Sequence, residues 1–315
     1  MKTIISVDGG GIKGIVAITI LQAIQNKLPK PIHEYADCIA GTSTGGLIAC
    51  ALTVPNEQGR PKYNTSDVVE IYQTLGPKVF SSSFWHKIKT LWGLVGPKFP
   101  LDGLDEIASE KFGNTKLRDA LAQVLVATYD LATRTPVLFD STDPKLNNIT
   151  MRDACLGTAS VPTAFPSVKS GKYNLIDGGI FAVSPALCAL AACKEKYPGE
   201  SFMVISIGNG DYNELLSHEK TSGWGLLQWG SMAIDVVLDG IGDGIDQQTK
   251  MLVDEGSYYR LQFKIPEELN AMDDPSKDKV TALREKTLDW LKENDELIDK
   301  ICKELILLEA GKFKE

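Results

Sequence analysis

Two segments near the N-terminus each combine an apolar strand, a glycine-rich turn and an apolar helix, within residues 3–28 and 37–52. The turns, at residues 8–14 and 41–46, interrupt runs whose apolar periodicity changes from that of a strand to that of a helix. Strands that alternate with helices pair in parallel, and helices then cover both faces of the sheet. This repeated unit restricts the chain to an α/β architecture.

The same alternation continues along the chain. Further apolar strand candidates lie at residues 121–128, 137–140, 172–176 and 202–207, and a helix of small residues lies at 185–193. We therefore expect three α/β/α layers around a mainly parallel central sheet.

The C-terminal part of the chain is highly charged from about residue 273 onward. Apolar residues recur there at spacings of seven, three, four and three, at Leu291, Ile298, Ile301, Leu305 and Leu308. This periodicity predicts an amphipathic helix. We expect one domain over residues 1–270 and a helical extension over 271–315 that packs on the same domain.

Charge and cysteine usage exclude several classes of protein. The chain has 33 Lys and Arg against 41 Asp and Glu, a net charge of −8, which is atypical of a nucleic-acid-binding protein. It has no uninterrupted apolar run of about 18 residues and no signal-type N-terminus. The six cysteines form no CxxC pair and indicate buried thiols in a reducing compartment. We expect a cytoplasmic protein, with peripheral contact at the inner membrane surface as an option.

The second turn contains Gly41-Thr42-Ser43-Thr44-Gly45, which is a G-x-S-x-G sequence. A serine on a sharp turn between a strand and a helix is lifted to the carboxyl edge of the sheet, and glycines on either side avoid collisions. The pattern therefore predicts a nucleophile at Ser43. The alternative is that Ser43 only caps the helix that follows.

A carboxylate follows another strand candidate. Asp177 ends the apolar run at 172–176 and precedes Gly178 and Gly179. Because the carboxyl ends of parallel strands meet at one edge of a sheet, we expect Asp177 to lie near Ser43 as its base. The alternative is an ordinary Asp-Gly turn.

The first turn contains three successive glycines, Gly9, Gly10 and Gly11. Their N–H groups are candidates for an oxyanion hole, and Lys13 adds positive charge nearby. A rival interpretation is that Gly9-x-Gly11-x-x-Gly14, with Glu34 about 20 residues on, binds a dinucleotide. The carboxylate of Asp8, directly before the glycines, disfavours a pyrophosphate there.

Together, the motifs at residues 8–14, 41–46 and 177–179 resemble the patatin-like phospholipases in order and spacing, and specifically a bacterial-type member. Segments 159–166 and 205–210 resemble two further blocks of that family, so the resemblance covers about residues 1–265. It implies a patatin-like fold related to the α/β hydrolases. The implied activity is calcium-independent hydrolysis of phospholipid or another acyl lipid, of the phospholipase A or lysophospholipase type, without metal or cofactor.

The resemblance also implies roles for individual residues. Ser43 is the nucleophile, Asp177 its partner and general base, and Gly9, Gly10 and Gly11 form the oxyanion hole. Supporting positions in the three motifs are Lys13, Gly14, Gly41, Thr44, Gly45, Gly178 and Gly179. The chain departs from the family at Lys13, where arginine is common, so the charge is kept without the planar guanidinium.

Other interpretations of the chemistry stay open. Ser43, Asp177 and His218 follow the chain order of an α/β-hydrolase triad, but His218 lies in a polar stretch, so we favour the dyad. A catalytically silent lipid- or dinucleotide-binding module that keeps the fold is the alternative from another class. An acidic group at Asp273, Asp274 and Asp278 suggests a solvated turn rather than a calcium site.

Two segments are candidates for contact with lipid. Residues 76–101 contain lysines and aromatic residues but no acid, which is typical of a membrane-contacting surface and equally of a core-packed loop. Residues 222–245 contain Trp224 and Trp229 in an apolar run, for which we favour core packing over a lid. The sequence does not indicate an oligomeric state.

Overall fold

The structure is a computed structural model that describes residues 1–79, 96–212 and 215–311. The strands described are β1 (Lys2–Val7), β2 (Cys38–Thr42), β3 (Gln123–Asp130), β4 (Thr135–Asp140), β5 (Val168–Ser170), β6 (Tyr173–Asp177), β7 (Phe202–Ile207) and β8 (Tyr258–Leu261). The α-helices described are α1 (Gly14–Lys27), α2 (Thr44–Thr53), α3 (Thr65–Val79), α4 (Asp102–Phe112), α5 (Met151–Ala159), α6 (Gly179–Ala182), α7 (Ala186–Lys196), α8 (His218–Thr221), α9 (Leu226–Leu252), α10 (Lys277–Glu293) and α11 (Asp295–Gly311).

The strands described form one sheet in the order β5-β6-β3-β2-β1-β7-β8, with β4 paired to β3. The pairs β1–β2, β1–β7, β2–β3 and β7–β8 are parallel. Ile5 and Val7 of β1 lie in the core that faces α1 and α2, whereas Ile4 packs in the core beneath α7. Alternation of side chains along the strands thus builds a core on each face of the sheet. The predicted α/β fold, with three layers and a mainly parallel sheet, is confirmed.

The parallel direction that we predicted for the strand ending at Asp177 is wrong. Strand β6 pairs with β3 in antiparallel fashion, with Asp177 opposite Thr128. Strand β4 also pairs antiparallel with β3 and occupies one of its edges over residues 125–130. Because a strand has only two edges, β2 and β6 must share the other edge of β3.

This shared edge brings the carboxyl ends of two strands together. Thr42, the last residue of β2, lies opposite Ala127, and Asp177, the last residue of β6, lies opposite the next residue, Thr128. Strands β2 and β6 therefore meet end to end along β3. Register, and not a shared strand direction, brings Asp177 beside the turn that carries Ser43.

The C-terminal periodicity belongs to two helices rather than one. Helix α10 ends before Asn294, whose side-chain Nδ2 donates to the carbonyl of Trp290 at 2.8 Å, and α11 begins at Asp295. Leu291 of α10 and Ile298 of α11 are both buried in the same core, and both helices contact α1. The apolar spacing continues across a break that the asparagine caps.

Of the two segments that are candidates for lipid contact, residues 76–101 are described only in part. Of residues 76–101, the part from 80 to 95 lies outside the described residues. At its ends, Lys78 and Lys98 form ion pairs with Glu106 and Asp273, and Phe99 is buried. Asp273, one of the three aspartates considered above as a calcium site, thus forms an ion pair with Lys98.

Residues 222–245 depart from the favoured core packing. They include most of α9, and Trp229 is 40% exposed, with its ring edge-on to that of Trp224. This part of the helix is therefore not simply a core element. Within the described part of the chain, no helix is both long and apolar enough to span a membrane.

An ion pair between buried Asp8 and half-buried Arg260 lies under the first glycine turn. The guanidinium Nη2 of Arg260, on β8, lies 2.7 Å from the carboxylate Oδ2 of Asp8, and its Nη1 donates to the hydroxyl of Ser206 at 2.9 Å. Burial raises the pKa of Asp8, and the neighbouring Arg260 lowers it. Arg260 also lies 3.5 Å from the carboxylate of Asp246 on α9. Asp8, the residue before the three glycines, is thus held by an arginine on β8, the last strand in the sheet order.

Replacement of Arg260 by methionine leaves the Asp8 carboxyl buried without its cationic partner. Because an unpaired buried charge is costly, we expect the free energy of unfolding to fall by about 3 kcal/mol or more. The double variant Asp8→Asn/Arg260→Met is expected to recover part of that loss. Urea unfolding followed by circular dichroism measures both. An Arg260→Met protein as stable as the wild type would show that the pair does not hold the turn.

Candidate active site

Ser43 occupies a strained turn between β2 and α2. Its backbone angles are φ 54° and ψ −126°, in a region that residues with a side chain rarely adopt. A Cβ placed on Gly41 would lie 2.1 Å from the carbonyl oxygen of Gly45, and one on Gly45 would lie 2.1 Å from that of Val7. Glycine is therefore required at both positions, as the G-x-S-x-G pattern predicts.

The backbone of Ser43, rather than its hydroxyl, caps α2. The carbonyl of Ser43 accepts the N–H groups of Gly46 and Leu47 at 2.9 and 3.2 Å, and its side chain makes no capping hydrogen bond. Its N–H donates to the hydroxyl of Thr158 at 2.8 Å. The cap interpretation of Ser43 therefore does not explain the side chain, and the hydroxyl is left for another purpose.

Asp177 is buried, and its two carboxyl oxygens differ. Oδ1 accepts the N–H of Gly179 at 2.7 Å. Oδ2 has no hydrogen-bond partner of ordinary geometry in the described structure, although the hydroxyl of Ser43 is near enough to lower the pKa of the carboxyl. Burial is the larger effect and raises that pKa to about 6. One oxygen is thus fixed and the other lacks a hydrogen-bond partner, while the Ser43 hydroxyl lies near the carboxyl.

The glycines after Asp177 let the chain turn tightly against β3. A Cβ on Gly178 would lie 2.4 Å from the carbonyl oxygen of Ala127, and one on Gly179 would lie 3.1 Å from Oδ1 of Asp177. Any larger residue at Gly178 must therefore displace the backbone of β3. Such a displacement would disturb the register that aligns β6 with β2.

The three glycines of the first turn are not equivalent. The N–H of Gly9 donates to the carbonyl of Val183 at 2.8 Å, so it is not available as the oxyanion donor that the sequence led us to expect. A Cβ on Gly9 would lie 3.2 Å from Cβ of Ser43, so this residue permits a close approach instead. The N–H groups of Gly10 and Gly11 have no acceptor among the described residues.

The supporting residues of the first turn fix its shape. Gly11 has φ +58°, and a Cβ there would lie 2.3 Å from the carbonyl oxygen of Met272. A Cβ on Gly14 would lie 2.3 Å from the hydroxyl of Thr44, which is hydrogen-bonded to Tyr72. The ammonium of Lys13 donates to the side chain of Asn270 at 2.9 Å. Lys13 thus ties the turn to the segment after β8.

The dinucleotide interpretation conflicts with this arrangement. Glu34 lies in a single 3₁₀ turn before β2, whereas the glycines follow the carboxyl end of β1, which is parallel to β2. Glu34 therefore lies at the amino ends of these parallel strands, whereas the glycine turn lies at their carboxyl ends. A ribose beside a pyrophosphate on Gly9–Gly11 would be out of its reach.

The histidine of the alternative triad lies at the surface. His218 is exposed at the start of the short helix α8. Among the described residues, no histidine forms a hydrogen bond with Ser43 or Asp177. The arrangement therefore favours a dyad over the triad.

Sequence reasoning missed three residues that shape the site. The hydroxyl of Thr158 accepts the N–H of Ser43 and donates to the carbonyl of Ala127. Nδ2 of Asn209 donates to the carbonyl of Asp8 at 2.6 Å. Arg260 holds the carboxylate of that aspartate. Thr158 and Asn209 lie in or next to blocks that carried the family resemblance, which was the available signal, whereas Arg260 had none.

Comparisons with known proteins agree with these motifs. The model of the patatin-like phospholipase family matches residues 5–190. Patatin-like protein 2 of Arabidopsis thaliana is 32% identical over 307 residues, which cover 83% of this chain and 75% of that protein. Patatin-like protein 2 of Oryza sativa subsp. indica is 32% identical over 332 residues, which cover 90% and 82%. These relatives are plant proteins, so the bacterial-type assignment stays a prediction.

A relative from Solanum tuberosum, named probable inactive patatin-3-Kuras 1, is 33% identical over 264 residues, which cover 73% of this chain and 68% of that protein. Among solved structures, VipD from Legionella pneumophila aligns with 91% of this chain and 67% of its own, at 12% identity and a TM-score of 0.45. The family model alone covers more than half of the 315 residues. The chain therefore belongs to the patatin-like phospholipase family, a family of lipid acyl hydrolases.

Proposed function

We propose that this protein hydrolyses carboxylic esters of acyl lipids with a Ser43–Asp177 dyad, without calcium. The observation that carries the proposal is the buried carboxyl of Asp177, whose Oδ2 lacks an ordinary hydrogen-bond partner and which lies close enough to the Ser43 hydroxyl for that hydroxyl to lower its pKa. A strained serine with a free hydroxyl and a carboxylate of raised pKa are the two groups that ester hydrolysis by a dyad requires.

In the first step, Oδ2 of Asp177 accepts the proton of the Ser43 hydroxyl while Oγ attacks the acyl carbon. The carbonyl oxygen becomes an oxyanion, for which the N–H groups of Gly10 and Gly11 are the proposed donors. The N–H of Thr44, at the N-terminus of α2, is a further proposed donor. Donors fixed before the reaction each lower the barrier by about 3 kcal/mol.

In the second step, the oxyanion collapses and the bond between the acyl carbon and the alcohol oxygen breaks. Asp177 returns its proton to the leaving alkoxide, which departs as the alcohol and leaves an acyl ester on Ser43. Water then attacks this ester, with Asp177 again accepting and returning a proton, and the fatty acid is released. A carboxyl with a pKa of about 6 suits both directions of transfer better than an ordinary aspartate does.

The substrate class follows from the family. A phospholipid or lysophospholipid is the expected substrate, consistent with phospholipase A or lysophospholipase activity. The competing proposal, a silent lipid-binding module, predicts that a serine-directed fluorophosphonate leaves Ser43 unlabelled. Labelling that is lost in Ser43→Ala would support the hydrolase.

Replacement of either dyad residue is expected to abolish ester hydrolysis. Ser43→Ala removes the nucleophile and Asp177→Asn removes the base, so each should lower kcat/KM for a soluble short-chain ester by about a thousandfold or more. His218→Ala is the matched control, and its rate should stay within about twofold of the wild type. A comparable loss in His218→Ala would instead support a triad.

The activity is expected to depend on the ionisation of Asp177. Because the base must be deprotonated, kcat/KM should rise with pH through about 6 and then level off. Stopped-flow or initial-rate measurements on a soluble ester from pH 4.5 to 8 give this profile, with His218→Ala as the control. A rate that is already level at pH 4.5 would show that burial does not raise the pKa of this carboxyl above its ordinary value of 3.8.

The same raised pKa has a consequence for stability. Between 3.8 and about 6 the folded protein holds a proton on Asp177 that the unfolded chain has released, so stability contributed by this group falls as pH rises. The change is about 3 kcal/mol across that window, at 1.36 kcal/mol per pKa unit. Asp177→Asn should lose this dependence. The difference in unfolding free energy between variant and wild type, measured in urea at pH 4 and pH 7.5, tests it, and an unchanged difference contradicts it.

A further inference from the structure

The first half of α9 exposes apolar side chains along one side. Trp229, Val236 and Val237 are 40%, 42% and 53% exposed. Ala233 and Gly240 lie on the same side, because the five residues follow one another at spacings of four, three, one and three. We call this set the apolar stripe: Trp229, Ala233, Val236, Val237 and Gly240.

The opposite side of the same helix is also apolar, and it is packed. Ile245 is buried in the core beneath α7, and Gly242 lies close to Val183. Leu238 lies 3.8 Å from where a Cβ on Gly179 would stand. A helix that is apolar on both sides normally has a partner for each of them. Among residues 1–79, 96–212 and 215–311, the contacts of α9 supply a partner for only the packed side.

The stripe lies at the end of the helix that is nearer to the dyad. Helix α9 contacts α6, which begins two residues after Asp177: Leu238 lies near Gly179, and Gly242 lies near Val183, the residue after α6. Its other end lies near the end of α7, where Lys194 donates to the carbonyl of Leu252. Ile180, next to Gly179, is itself exposed. A further exposed apolar side chain therefore lies next to the residues that hold the carboxyl.

The charge of this segment restricts what it can contact. Residues 221–249 contain no lysine, arginine or histidine, and four aspartates, at 235, 239, 243 and 246. Anionic lipid surfaces attract basic residues and repel acidic ones. An isologous dimer through this helix would bring the same acidic residues of two copies together. A neutral or zwitterionic apolar aggregate fits the segment better than either.

We propose that the apolar stripe of α9 docks on the surface of zwitterionic lipid aggregates of the phosphatidylcholine type, at the end of the helix that is nearer to the dyad. The proposal rests on the proposed lipid hydrolase function and deepens it, because it assigns the surface through which substrate is met. It concerns a surface other than residues 76–101. Side chains of this kind insert into the interface without spanning the membrane.

Flotation with phosphatidylcholine vesicles tests the surface directly. Ser43→Ala is the parent protein, so that the vesicles are not degraded during the measurement. Adding Val236→Ser and Val237→Ser should weaken the partition coefficient roughly tenfold, because two partly exposed valines no longer contribute apolar area. Adding Met251→Ser and Leu252→Ser is the matched control.

The control residues are 83% and 52% exposed and lie on the same helix, roughly 22 Å from Val236 and Val237 at 1.5 Å per residue. Their replacement should change vesicle binding by less than about twofold. Equal losses in both pairs would overturn the assignment to the stripe. Unfolding midpoints of the two pairs, measured by thermal denaturation, exclude a trivial loss of fold.

The charge of the lipid headgroups provides a second test of the proposed surface. Phosphatidylglycerol in place of half of the phosphatidylcholine should weaken binding at low salt, and added salt should restore it. Tighter binding to the anionic vesicles would overturn the proposal. A stripe variant that changes the dimer content in analytical ultracentrifugation, with unchanged vesicle binding, would assign the stripe to self-association instead.

Failure of this proposal and failure of the proposed function are distinguishable. Hydrolysis of a soluble short-chain ester by the wild type reports on the dyad without any vesicle. If that activity is present and vesicle binding ignores the stripe, the surface proposal is wrong and the hydrolase stands. If vesicles bind through the stripe and no ester is cleaved, the hydrolase proposal is wrong.

Discussion

The site depends on two strands that meet end to end along one edge of β3. Strand β2 ends opposite Ala127, and β6 arrives from the other direction and ends opposite Thr128. The turn after each strand is therefore built at the same point of the sheet. A shift of one residue in the register of β6 would turn Asp177 to the other face of the sheet, because side chains alternate along a strand.

The residues around this junction keep it narrow and rigid. Thr158 bridges the N–H of Ser43 to the carbonyl of Ala127, so the serine turn is fastened to the strand that aligns both partners. Gly178 lets the turn after Asp177 press on the same carbonyl. Burial of the carboxyl then raises its pKa, which is the property that general-base chemistry near neutral pH requires. The burial of Asp177 at this strand junction therefore also accounts for its raised pKa.

The local parts of this arrangement could be predicted from sequence. The strained turn at Ser43 is encoded by Gly41 and Gly45 over five residues, and the glycine run after β1 is equally local. The proximity of Asp177 was inferred by assuming a parallel strand, whereas an antiparallel strand in a particular register produces it. Pairing direction depends on contacts between distant segments, which a single sequence does not display.

Other features could not be predicted from the sequence, for the same reason. Arg260 reaches Asp8 across 252 positions of the chain, and nothing local to either residue signals the pair. The C-terminal periodicity was read correctly as a buried apolar face, but one asparagine at 294 divides it into two helices. The exposure of Trp229 was missed because an apolar run looks alike whether it faces a core or solvent. Burial is a tertiary property, and periodicity reports only which residues share a face.

The most direct measurement is a crystal structure of the protein after reaction with a fluorophosphonate. The account predicts phosphorus bonded to Oγ of Ser43, a phosphoryl oxygen within hydrogen-bond distance of the N–H groups of Gly10 and Gly11, and Oδ2 of Asp177 beside the bonded oxygen. An adduct on another residue, or a phosphoryl oxygen directed away from the glycine turn, would contradict it.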